Sequence, residues 1–173
     1  SDADVIYVFR DAGAGDSAAS VAQRVVSRLV ALTEDLRLPF ELDAGLRPEG
    51  RNGPIVRSLT SYRAYYERWS LTWEAQALLR ARPAAGDEPL LGDFMALADE
   101  VRYPAEFGEA EAREVRRIKA RVESERLPQA ADPARHLKLG RGSLSDVEWF
   151  VQLLQLQHAA TVPELRTPST LRA

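Results

Sequence analysis

Ser1-Asp2-Ala3-Asp4-Val5-Ile6-Tyr7-Val8-Phe9 decides how the chain is read, because two aspartates one residue apart run straight into an apolar stretch. Residues 3–9 are β-branched and aromatic, and apolar on both faces after Asp4, which predicts a central strand. The loop Asp11–Asp16 comes next, with Asp16 or Ser17 as the expected N-cap. Val21, Val25, Leu29 and Leu32 then recur at helical spacing with Arg24 and Arg28 outside, so residues 17–34 form a predicted amphipathic helix. After Pro39, Phe40-Glu41-Leu42-Asp43 alternates with period two, Glu41 and Asp43 sharing one face. The order is strand, helix, strand.

Residues i and i+2 of a strand face the same way, roughly 7 Å apart. Carboxylates so placed can share divalent ions ~3.5–4 Å from each other, the separation used in two-metal phosphoryl chemistry. If the two strands are neighbours, a third carboxylate joins Asp2 and Asp4. Such crowding is repulsive unless a cation belongs to the site. The plain alternative is a strand end bathed in solvent, since acid-x-acid pairs recur at 41/43, 109/111, 123/125 and 146/148.

The totals bound the rest. At 173 residues, 45% hydrophobic and 28% charged, the chain amounts to about one domain with a real core. A net charge of −3 argues against nucleic-acid binding, and the absence of cysteine excludes disulfides and thiolate metal sites. Two histidines, His136 and His158, make a histidine-rich zinc site a poor fit. The apolar runs fall far short of the ~20 residues that span a bilayer, and no signal peptide is visible, so a cytoplasmic setting is expected.

Further along, Gly45–Pro54 is rich in glycine and proline and reads as an irregular loop. Arg47 and Arg51 in it suit phosphates, since guanidinium donates bidentately; pairing with Glu49 or solvent is the alternative. Residues 60–82 place Tyr62, Tyr66, Trp69 and Trp73 on one helical stripe, and further helices are predicted at about 90–101 and 109–127. Ser145-x-x-Glu148 reads as a capping box that starts a last helix through about Ala160. The expected organisation is an α/β lobe over 1–57 and a helical lobe over 58–173.

Four stretches carry a resemblance. They are Ser1-Asp2-Ala3-Asp4 with its strand, Phe40–Pro54, Trp73–Arg82, and Lys138-Leu139-Gly140-Arg141-Gly142-Ser143 through Glu148. In order along the chain, they resemble the bacterial glutamine-synthetase adenylyltransferases, bifunctional enzymes with two related nucleotidyltransferase domains. The resemblance implies a polymerase-β-like nucleotidyltransferase fold with a helical appendage, α/β plus α. One half transfers AMP from ATP to a tyrosine of glutamine synthetase, and the other removes it by phosphorolysis. Residues 116–128 and Arg51-Asn52-Gly53-Pro54 look more like the adenylylating half, although both halves share the Asp-x-Asp and Leu-Arg-Pro signatures.

Carried over, Asp2, Asp4 and Asp43 match the metal-binding carboxylates, with Mg²⁺ as cofactor and ATP as substrate. The family's glycine-rich turn precedes this motif, so only Ser1 of its end is present, and the lobe is expected to be incomplete and weakly active alone. Arg80 on the aromatic stripe suggests a phosphate or carboxylate partner, or a snorkelling side chain. Lys138, Gly140, Gly142 and Ser143 would close over ATP, against the plainer reading of a hairpin turn. Asp146 and Glu148 favour the helix dipole whatever else they do. Arg113, Arg117 and Arg121 read as a solvated face or a dock for an acidic partner, and His158 as a core or interface residue. Glutamine synthetase is the implied partner. A PII-type signalling protein is a further candidate, the corresponding alternative being a non-catalytic regulator-binding piece.

Overall fold

The computed structural model describes residues 2–11, 16–33, 37, 40–128, 131–132 and 134–173, with the side chains of residues 2, 16 and 17 also outside the description. The fold is mixed α/β, mostly helical with two small parallel sheets. It divides into two compact units, residues 1–70 with 83–97 and residues 71–82 with 98–173.

In the first unit the opening stretch is broken. It forms β1 (Asp2–Asp4) and β2 (Tyr7–Phe9), where one continuous strand was expected. Each piece takes a different parallel partner. β1 pairs with β3 (Glu41–Asp43) and β2 with β4 (Val56–Ser58). β4 has only three residues, wedged between a loop and a helix, which is too short for its alternation to show in the sequence. Helix α1 (Asp16–Thr33) joins β2 to β3 and packs on the sheets, close to the predicted span.

Its buried face is a correction to the expectation. Val26 is buried, with Ala22 and Val30 partly so, whereas Val21, Val25, Leu29 and Leu32 are exposed. The helix carries two adjacent apolar rows, and periodicity alone does not say which one meets the sheet.

The predicted helix over 60–82 is two helices, α2 (Leu59–Trp69) and α3 (Thr72–Leu78), broken at Ser70. Ser58 caps α2, its hydroxyl accepting from the Ser61 N–H at 3.2 Å. Glu74 reaches back to the Leu71 N–H at 2.9 Å and starts α3. Of the aromatic stripe, Tyr62 and Tyr66 are buried and Trp69 is exposed. Tyr62 stacks on Tyr66 at 6.0 Å and meets Phe94 edge-on at 5.3 Å, forming the core of the first unit. Burial pushes the Tyr62 hydroxyl well above its ordinary range, against the lowering effect of Arg57 and Arg47, so it stays a neutral donor. It donates to the Tyr7 carbonyl at 3.3 Å. Tyr62→Phe is expected to keep the ring packing and cost about 1 kcal/mol of unfolding free energy, checked by urea denaturation.

Helix α4 (Glu88–Arg102) closes the first unit and opens the second. Helices α5 (Glu109–Arg126) and α6 (Leu144–His158) pack with α3 around Leu79, Val115, Leu156 and Ala159. Gln76 donates to Gln152 at 2.7 Å, and Gln155 donates to the carbonyls of Leu165 and Thr167 at 2.7 and 2.8 Å, so these buried amides are paired. The N-cap of helix α6 is Ser143, two residues before the expected Ser145. Its exposed His158 is not a core residue. No helix among the described residues is long and apolar enough to cross a membrane.

Candidate functional site

Parallel pairing sets Asp2 opposite Glu41, Ala3 opposite Leu42 and Asp4 opposite Asp43. Paired residues of neighbouring strands stand about 4.8 Å apart in the hydrogen-bonding direction and share a face. Asp4 and Asp43, distant in the sequence, are thereby brought side by side. The ladder runs one residue further, with the Val5 N–H donating to the Asp43 carbonyl at 2.8 Å.

Asp43 is oriented by the glycine two positions on. Its Oδ1 accepts the Gly45 N–H at 2.7 Å, an Asx-type turn at the strand end. A Cβ on Gly45 would meet the same oxygen at 2.8 Å, so glycine is what permits this approach. Asp4 is exposed and Asp43 half-buried. Asp2 enters the ladder through its backbone, and its side chain lies outside the described residues, as does Ser1. Among the described residues no group of three or more acidic or histidine side chains converges as a metal cage.

The two loop arginines part company. Arg47 turns inward and donates to the carbonyls of Ala44 at 2.6 Å, Arg51 at 3.2 Å and Gly53 at 3.1 and 2.9 Å. All three of its nitrogens are engaged in closing the loop. Arg51 is exposed, and its side chain has no hydrogen bond or ion pair among the described residues. Arg57 carries no signal in the sequence, yet it braces the loop by pairing with Glu49 and lies 5.4 Å from the Tyr65 ring. Glu49 itself has φ 63°, a conformation rare outside glycine, so the loop is held in an unusual shape.

In the second unit, Arg80 donates from Nη1 to Gln155 at 3.2 Å. Its Nε lies 3.7 Å from Glu148, ion-pair range but too long for a hydrogen bond, and Nη2 is buried without an acceptor among the described residues. The Lys138–Ser143 segment is a turn with no strand pairing. Four of its amides are spent locally. Leu139 N–H donates to His136 Nδ1 at 2.9 Å and Gly140 N–H to the His136 carbonyl at 2.8 Å. Gly142 N–H donates to Asp146 Oδ2 at 2.6 Å, and Ser143 N–H to the Gly140 carbonyl at 3.2 Å. Ser143 Oγ closes the turn onto the Lys138 carbonyl at 2.7 Å. The side chains of Lys138 and Arg141 remain exposed cations with no partner among the described residues.

Asp146 holds the turn and is itself held. Its Oδ1 pairs with Lys119, which also pairs with Glu123. The Lys119 and Gly142 hydrogen bonds hold the Asp146 carboxyl below its ordinary range. Burial pulls Lys119 down, but its bonds to Asp146 and Glu123 outweigh that and hold it above the usual lysine range. A depressed carboxyl stabilises the fold above its unfolded value of 3.8 and loses that contribution as pH falls through the lower folded value. The elevated lysine contributes fully below 10.5 and loses its share as pH rises beyond that. Asp146→Asn is therefore expected to lower Tm at pH 7, with the gap to the unchanged chain closing at strongly acid pH in a calorimetric series.

Known proteins are similar to this chain in sequence. The sequence model of the family described as glutamate-ammonia ligase adenylyltransferase matches residues 1–96. The chain belongs to that family. A bifunctional glutamine synthetase adenylyltransferase/adenylyl-removing enzyme of Leifsonia xyli subsp. xyli is 72% identical over 174 residues, covering 100% of this chain and 17% of that protein. The enzymes of the same name from Mycobacterium tuberculosis H37Rv and Streptomyces avermitilis are 55% and 57% identical, over 100% and 98% of this chain and 18% of each protein. The chain thus spans about a sixth of the length of the curated relatives it matches.

Proposed function

We propose that the chain carries the catalytic core of the adenylylating half of such an enzyme, with the first unit as a polymerase-β-like nucleotidyltransferase lobe. It would move AMP from ATP to a tyrosine hydroxyl of glutamine synthetase. The observation that carries this reading is the β1–β3 register, which sets Asp4 beside Asp43 just before the arginine-bearing loop. Carboxylate oxygens are the hard donors that Mg²⁺ takes, so Asp4 and Asp43, with Asp2, would hold it. When bound, Mg²⁺ supplies positive charge against the triphosphate.

The chain's own residues do the rest. Arg51 is the loop guanidinium available to phosphate, while Arg47 shapes the loop that presents it. Arg80, with a buried donor that has no acceptor among the described residues, and Lys138, an exposed cation with no partner among them, are the proposed nucleotide contacts of the second unit. A phenol of pKa ~10 is a poor nucleophile at neutral pH. Asp43, fixed by Gly45, would accept or orient the phenol proton as the tyrosine oxygen bonds to the α-phosphorus. The bond to the bridging oxygen breaks, and pyrophosphate leaves. Positioning and charge neutralisation account for most of such a rate gain.

The test uses the uninterrupted polypeptide that contains this chain. With ATP labelled at the α-phosphate, label is expected on glutamine synthetase, and Asp4→Asn is expected to abolish it. If Asp4→Asn instead hits only phosphate-dependent release of ADP from modified synthetase, the chain belongs to the removing half. If Asp4→Asn affects neither activity, the carboxylate assignment fails and a regulator-binding role takes its place.

A further inference from the structure

Beside the proposed nucleotide contacts of the second unit stands a carboxylate that bridges two elements. Asp146, on the first turn of α6, spends Oδ1 on Lys119 of α5 and Oδ2 on the Gly142 N–H. Gly142 has φ 73°, the left-handed conformation that glycine adopts without strain. The pair therefore ties down a turn glycine whose backbone is otherwise free to relax. The rest of the turn is tied at its base, where Leu144 and Ser145 N–H groups donate to the Leu137 and Lys138 carbonyls at 3.1 and 3.2 Å.

With both oxygens occupied, Asp146 is a poor candidate for a metal ligand, and with the Leu139, Gly140, Gly142 and Ser143 amides spent the turn lacks the run of successive free N–H groups that makes an anion nest. What it offers an anion is Lys138 and Arg141, raised on a rigid base. We propose that Lys119 and Asp146 form a latch that holds the turn so that Lys138 meets a nucleotide phosphate. They are positioning residues that do not touch the nucleotide. This inference rests on Lys138 being a nucleotide contact, as proposed for the chain's function.

The experiment takes Asp146→Asn, Lys119→Ala, Lys119→Arg and Lys138→Ala in the uninterrupted polypeptide. It measures hydrogen exchange of the segment holding Gly142, together with KM for ATP and kcat. The latch predicts faster exchange and an ATP KM raised about tenfold in Asp146→Asn and Lys119→Ala, with kcat changed far less. Lys119→Arg, which keeps the cation, is expected to restore both. Unchanged exchange in Asp146→Asn overturns the latch. Faster exchange with an unchanged KM, while Lys138→Ala raises KM, overturns the latch but leaves the nucleotide reading standing. An unchanged KM in Lys138→Ala removes the nucleotide reading of the turn, and the proposal with it.

Discussion

Asp43→Asn is expected to lower AMP transfer by the uninterrupted polypeptide on the order of 10²–10³-fold while leaving the fold intact. The substitution isolates charge from shape. Asparagine keeps an oxygen where Oδ1 now accepts the Gly45 N–H at 2.7 Å, so the turn at the end of β3 survives. What disappears is a negative charge beside Asp4 and a group able to receive a proton. Removing one of two adjacent like charges relieves repulsion, so Tm is expected to hold or rise slightly. A loss of activity without a loss of stability separates a chemical role from a structural one. Glu41→Gln is the control. Glu41 shares the strand face with Asp43 but stands opposite Asp2, one pleat further back, and is exposed. Near-normal transfer by Asp43→Asn would remove the carboxylate site from the first unit altogether.

Much of this arrangement was legible in the sequence, and the portions that were not share a cause. The carboxylate positions, the span of α1 and the strand at 41–43 come from local periodicity, which reports which side chains share a face. Pairing of the two strands was the conditional step. Local pattern could say only that neighbouring strands would bring a third carboxylate to the pair, and the register supplies the neighbour.

Direction was what stayed hidden. Periodicity found an apolar row on α1, but the sheet chose the neighbouring one through Val26. The split between β1 and β2 depends on β4, which lies beyond β3 and a long loop and is itself too short to announce. The cap of α6 lies at Ser143 because the preceding turn closes onto Lys138, a contact no capping pattern encodes. The glycines at 140 and 142 read as letting the turn close over ATP, with a hairpin turn as the alternative. Their amides are instead consumed by His136 and Asp146, acceptors from the turn's own flanks.

Arg47→Ala is expected to cost about 3 kcal/mol or more of the first unit's stability, and Arg51→Ala almost none. The two residues looked alike in the sequence, four apart in one loop. Arg47 supplies four hydrogen bonds to three backbone carbonyls, and deleting its side chain leaves the carbonyl of buried Gly53 without its donor and that of buried Ala44 with only the residue-47 backbone N–H at 3.3 Å. Charge-assisted bonds to a buried carbonyl are at the strong end of the range, and an abandoned buried acceptor costs about 1–3 kcal/mol. Lysine is no substitute, since a single ammonium cannot reproduce a planar fork that reaches both ends of the loop. Gly53 is part of the same closure, because a Cβ there would drive into the Pro48 carbonyl. Thermal melts should therefore place Arg47→Ala and Arg47→Lys together, well below the unchanged chain, and Arg51→Ala beside it. In the uninterrupted polypeptide the order of the specific effect reverses. Arg51→Ala is expected to raise KM for ATP severalfold at full stability, whereas at low temperature Arg47→Ala should lose activity only as far as the loop before β4 loses its shape. Equal stability losses for Arg47→Ala and Arg51→Ala would contradict the division of labour between them: one arginine builds the loop, and the other is left for the ligand.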